Sequence, residues 1–187
     1  MRSSSLVVAL TLLGASALSA QSPTFGLGRT PTQEEVRAWD ISISPTGEEL
    51  PEGSGTAEQG ALIYRRNCAR CHGADGTDGR APRLIKSARG SDDDPWSYGR
   101  ILPIRSPYAT TVWDYINRGM PLNREGSLDA DEVYSLTALL LYWNGLITED
   151  EVMDARSLPA VQMPNRDTWA PLPDYQPGQG RLPGYPY

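Results

Sequence analysis

The chain has 187 residues, with 17 Lys and Arg against 23 Asp and Glu and a formal charge of −6. This length suits one domain with extensions, and the acidic balance argues against nucleic acid as a partner. The chain contains two cysteines and one histidine, so any metal or redox chemistry must converge on a few side chains.

Residues 1–20 read as a secretory signal peptide. Arg2 supplies the positive start, Leu6 to Leu13 the apolar core, and Ala17 or Ala20 the last residue before cleavage. That run, like the apolar stretch Leu136 to Ile147, is too short to span a bilayer comfortably, so the expected product is exported, periplasmic and without stable membrane insertion. Residues 21–55 form an N-terminal extension. Thr30 is expected to cap a helix, with Pro31 in its first position, Gln33 closing a capping box and an end near Trp39. Asp40 to Ile43 alternates like a short strand, and Ser44-Pro45-Thr46-Gly47 reads as a turn. Trp39 and Ile41 are expected to pack on the domain that follows, because so short a segment has nothing of its own to bury.

Residues 56–147 carry the chemistry. Thr56 and Gln59 make a capping box for a helix that leads to Cys68-Ala69-Arg70-Cys71-His72. This is the C-x-x-C-H pattern of covalent c-type haem attachment: two thiols that add to the haem vinyl groups, and an adjacent imidazole for the iron. A structural zinc site needs more nitrogen and sulfur ligands than the chain contains, and a thioredoxin-like pair expects a βαβ context that is absent. The glycine-rich stretch Gly73 to Gly79 reads as a chain reversal. It lacks the helix start of a phosphate loop and the acid spacing of a calcium loop.

The backbone around Pro82 is the expected acceptor for the second ring nitrogen of His72. Arg100 or Arg105, in a polar-aromatic stretch with Trp96 and Tyr98, is a candidate partner for a haem propionate. A helix from about Thr110 to Arg118 is expected to end at Gly119 in a left-handed cap. Met120 follows, and with no second histidine it is the candidate sixth iron ligand, ahead of Met153 and Met163. Asp129 and Glu132 cap the last helix, which runs through Leu136 and Leu140 to Asn144-Gly145 and is expected to cross the first domain helix at Gly60 and Tyr64. Residues 148–187 form a Pro-rich tail whose first half is apolar enough to dock on a surface and whose end is expected to be extended. Arginines and one lysine dominate Ala61 to Gly90, while glutamates precede them, which suggests a basic collar on the haem side of an acidic protein.

With those residues in place, Thr56 to Gly145 resembles a class I cytochrome c domain. The likeness rests on Gly60, Tyr64, the C-x-x-C-H run, Ala81-Pro82-Arg83-Leu84, Arg118-Gly119-Met120-Pro121-Leu122 and the closing helix. It departs at Leu139, where that family often carries an aromatic. The implied fold is all-α, with three or more helices around one covalently attached haem c and irregular extensions at both ends.

A narrower similarity covers Phe25 to Gly28, Ala38 to Ile41, Pro51 to Thr56, Tyr108 to Ile116, Asp131 to Tyr134, Val152 to Ala155 and Leu158 to Asp167. These stretches are similar to the cytochrome c subunit of bacterial sulfite dehydrogenases, the Sor and Sox types. The resemblance implies an electron-transfer subunit without catalysis of its own. Its partners would be a molybdenum-cofactor subunit that oxidises sulfite or another sulfur compound and a downstream cytochrome or oxidase acceptor. The alternatives are a free periplasmic shuttle and a haem enzyme such as a peroxidase or a thiosulfate-coupling enzyme, which requires an open or labile sixth position on iron.

Overall fold

The computed structural model describes residues 27–88, 90 and 93–168. The signal-peptide reading of residues 1–20, Arg89 of the basic collar and the tail from Pro171 lie outside the described residues. The chain divides into two compact units, the first ending at Asp40 and the second beginning at Ile41.

In the first unit, helix α1 spans Gln33–Trp39. Its cap is Thr32, two residues beyond the expected Thr30. The Thr32 amide donates to Glu35 Oε2 at 2.8 Å and the Glu35 amide donates to Thr32 Oγ1 at 3.2 Å. A carboxylate closes this box better than the Gln33 amide would, and Arg29 holds that carboxylate from the other side through Nη1 at 2.7 Å. The Arg29 guanidinium, aided by the Thr32 amide, lowers the Glu35 carboxyl to about 2. Trp39 ends the helix 87% exposed.

The second unit is built on two crossing helices. Helix α2, Ala57–Asn67, starts with the expected reciprocal box between Thr56 and Gln59, and α6, Ala130–Trp143, starts with one between Asp129 and Glu132. They cross where α2 has no side chain. A methyl on Gly60 would lie 2.1 Å from the Ser135 carbonyl oxygen and 2.9 Å from Leu139 Cβ. Leu139, buried at this crossing, fits where an aromatic would be larger. Beyond the crossing, Tyr64 meets Trp143 edge-on, with ring centroids 4.8 Å apart. Helix α6 ends as expected at Gly145, whose φ of +74° favours glycine. The Leu146 amide reaches back to the Leu141 carbonyl at 3.0 Å and the Gly145 amide to Tyr142 at 2.8 Å, the paired bonds that close a helix with a left-handed residue.

Between them lie the short turn α3, Ala69–His72, a 3-10 turn at Pro95–Tyr98, the short α4, Leu102–Arg105, and α5, Ala109–Gly119. Helix α5 buries Val112, Trp113 and Ile116 against α6. Its end differs from the expected left-handed cap. Gly119 stays helical and Met120 is the extended cap, at φ −133° and ψ 150°, because the residue before Pro121 is pushed out of the helical region.

Asp40 to Ile43 is not a strand, since the sheet among the described residues pairs other segments. Ile41 is half exposed, so it does not anchor this stretch. Ile43 packs on the core instead, with its amide donating to Asp114 Oδ1 at 3.1 Å. The expected turn follows, with the Gly47 amide on the Ser44 carbonyl at 3.0 Å.

Strand β1, Ser54–Gly55, pairs antiparallel with β2, Met153–Asp154. The first half of the tail then lies on its own domain, with Met153, Leu158, Val161, Met163 and Asn165 all buried.

Candidate functional site

Helix α2 delivers Cys68 as its C-terminal cap, and the next turn, α3, presents Cys71 and His72. Both cysteines are free thiols and partly buried. Burial, helped by the neighbouring Cys71, pushes the Cys68 thiol up to about 11. Arg80 Nη2 donates to Cys71 Sγ at 3.3 Å.

The loop after His72 folds back on the motif. Tyr64 Oη donates to the Gly73 carbonyl at 2.9 Å, and burial pushes that phenol well above its ordinary value, so it stays a donor. The Ala81 amide donates to the Cys71 carbonyl at 2.8 Å and the Leu84 amide to the Gly76 carbonyl at 2.8 Å. Gly79 is required by this reversal, because a methyl there would lie 2.1 Å from the Cys71 carbonyl oxygen.

The structure brings His72 and Pro82 together, with Nδ1 2.8 Å from the Pro82 carbonyl oxygen. A carbonyl only accepts, so Nδ1 carries the proton and Nε2 keeps its lone pair for a metal.

Met120 is partly buried at the end of α5. Met153 and Met163, its competitors, are 2% and 4% exposed within the hydrophobic core, where they fill space. Arg105 sits at the end of α4 with its guanidinium 4.1 Å from the Trp96 ring centre and its Nε buried without a partner. Thr110 Oγ1 and Trp113 Nε1 are also buried without partners. The Trp113 ring, however, lies 5.5 Å from Tyr134, and the Thr110 methyl lies beside Gly47, so both belong to the core. Arg100 is exposed in the bend before α4.

Sequence reasoning missed Asn144. This residue reads locally as a helix stop, yet its buried amide bonds to three backbone groups. Oδ1 accepts from the Lys86 amide at 2.8 Å, and Nδ2 donates to the carbonyls of Leu84 at 2.9 Å and Leu140 at 2.7 Å. An asparagine before glycine carries no sequence sign of a bond to a loop so distant in the chain. Asp114 was missed for the same reason. It is a buried carboxylate on α5 that takes the Ile43 amide and Arg118 Nε, the latter at 2.9 Å.

Residues 55–140 match the family described as cytochrome c oxidase, cbb3-type, subunit III. A chain of the crystal structure of the sulfane dehydrogenase SoxCD from Paracoccus pantotrophus superposes with a TM-score of 0.66 at 36% identity, over 79% of this chain and 72% of that one. The thiosulfate dehydrogenase of Stutzerimonas stutzeri (strain A1501) is 29% identical over 116 residues, 54% of this chain and 35% of that protein. The chain thus spans about a third of that relative's length.

The chain belongs to the class I c-type cytochromes of the Sox and Sor type. It is accordingly an electron-transfer domain that carries covalently bound haem c. The donor set fits that group: two unpaired thiols on adjoining turns, an imidazole whose far nitrogen is engaged, and a buried guanidinium N–H awaiting an acceptor. Among the described residues no other cluster of metal-ligating side chains occurs, and no helix is long and apolar enough to cross a membrane.

Proposed function

We propose that this is the periplasmic haem subunit of a molybdenum-dependent sulfite dehydrogenase, exported by a signal peptide over residues 1–20. In this reading Cys68 and Cys71 would hold one haem c, and His72 and Met120 would supply the ligands to its iron. The observation that carries this reading is the extent of the likeness to a chain of a sulfane dehydrogenase, at 36% identity over 79% of the sequence, which reaches beyond a minimal haem domain.

A bound haem would supply a reversible one-electron couple, whose potential a thioether ligand from Met120 would raise. The protein's own groups do the rest. The Pro82 carbonyl keeps the His72 proton on Nδ1 and makes the ring a stronger donor. Arg105 Nε supplies a buried N–H for a propionate, a role for which exposed Arg100 is less suited.

Exposed arginines frame the attachment turn. Arg65, Arg66 and Arg70 lie along α2 and α3, Arg80 touches Cys71, and Arg124 reaches Asn67 at 3.1 Å. A basic face on an acidic protein steers an acidic donor or acceptor surface toward the haem end.

The test is isolation of the native complex. We expect molybdenum and haem in equal amounts; a cytochrome that migrates alone and free of molybdenum contradicts the reading. A free-standing shuttle is the second reading, favoured by the C-terminal segment packing on its own domain as far as Asn165 instead of projecting as a partner-binding arm. A haem enzyme requires a sixth position that a Met120 ligand closes. The long-wavelength charge-transfer band of a ferric iron–thioether bond is therefore expected, and its absence would revive that alternative.

A further inference from the structure

The segment that carries the Pro82 carbonyl has no regular secondary structure to hold it. On its upstream side the Ala81 amide bonds to the Cys71 carbonyl at 2.8 Å. On its downstream side the Leu84 amide bonds to the Gly76 carbonyl at 2.8 Å, but both of those residues belong to the same loop. Beyond the bond to Cys71 in the short turn α3, the tie to a long helix is the Asn144 side chain at the C-terminus of α6. Its Oδ1 accepts from the Lys86 amide and its Nδ2 donates hydrogen bonds to the Leu84 carbonyl and to the Leu140 carbonyl of its own helix. Its orientation is unambiguous, since an N–H partner requires the oxygen and two carbonyl partners require the nitrogen. Asn144 is 0% exposed, so bulk solvent does not compete for these bonds in the native fold.

We infer that Asn144 is a positioning residue for His72: by clamping Leu84 and Lys86 to α6 it fixes the Pro82 carbonyl against Nδ1 and so sets the donor strength of the imidazole. The inference rests on the reading of His72 as the iron ligand. A bond from the ligand ring to a carbonyl raises ring basicity and favours the ferric state, so loosening that bond raises the midpoint potential. A buried asparagine that served packing alone would change stability and leave the potential where it was.

The experiment compares the haem-loaded full chain with Asn144→Leu, Asn144→Ser and, as a control, Tyr134→Phe. The last removes a different bond of a fully buried side chain, the one from Tyr134 Oη to the Pro51 carbonyl at 3.0 Å. Serine is small enough to be accommodated but too short to reach three backbone groups, so it decides the question if the leucine variant fails to fold. Two quantities are read: the midpoint potential, and the hydrogen-exchange rate of the His72 ring N–H by NMR in the ferrous state. Both Asn144 variants are expected to raise the potential and to speed exchange by about fivefold or more, the factor that follows from losing one hydrogen bond's net contribution. Tyr134→Phe is expected to lower stability and move neither quantity. Wild-type potential and exchange in the Asn144 variants would overturn the inference while leaving the axial-ligand reading intact. A wild-type protein whose haem spectrum lacks histidine ligation would overturn it at its premise.

Discussion

Asp114 and Asn144 each do something their neighbours in sequence do not announce, whereas Gly60 sits at the helix crossing that its spacing to Tyr64 predicts. Gly60 permits the α2–α6 approach, so Gly60→Val drives side-chain atoms into the Ser135 carbonyl and is expected to destabilise the domain by about 3 kcal/mol in urea unfolding. Asp114 is the buried anchor of the Ile43 segment and the partner of Arg118. Asp114→Ala leaves both donors without their acceptor, and a loss of about 2 kcal/mol is expected by the same measurement. Its signature is faster hydrogen exchange at the Ile43 amide. What was legible at this scale was local: the C-x-x-C-H spacing, the two helix-domain capping boxes and the left-handed Gly145 each lie within a few residues. Asn144 and Asp114 act on backbone far along the chain, and a single sequence holds no record of such pairs.

The same division holds for elements. Helices α2 and α6 were readable from their capping boxes and α5 from its apolar face. The β1–β2 ribbon was not, since two residues per strand are too few to show alternation and the partners are far apart in sequence. The cap of α1 was misplaced because Thr30 and Thr32 both precede a suitable third residue, and Arg29 decides between them through Glu35.

The apolar residues of the C-terminal segment predict docking, but in isolation they give no register for where. Leu158 is fully buried there, and Leu158→Ala is expected to cost about 3 kcal/mol in urea unfolding, the usual range for a core leucine. A domain that loses nothing on this change would show that the segment is not part of its core. The start of the segment is also pH-sensitive. The amides of Ser157 and Arg156 hold the Asp154 carboxyl below its ordinary value. A lowered folded-state value means that this support is complete above the ordinary carboxylate range and is lost as the pH falls through the folded-state value. Protection of the Arg156 and Ser157 amides, taken against their intrinsic exchange rate at each pH, should therefore fall on acidification and stay level with pH in Asp154→Ala.

For the molecule as a whole, charge and cofactor make one account. A net charge of −6 coexists with exposed arginines around the attachment turn, so the haem end meets its partner under an attractive field only if that partner is acidic there. Electron-transfer rates are then expected to fall as salt is raised, and Arg65→Glu with Arg66→Glu should remove most of that dependence at low ionic strength. The most direct test of the central claim is to add sulfite to the isolated native complex and follow the haem spectrum in a rapid-mixing experiment. Ferric haem in the complex is expected to become ferrous within turnover time, while the isolated cytochrome stays ferric under the same conditions. A haem that remains ferric in the complex, although dithionite reduces it, would contradict the claim.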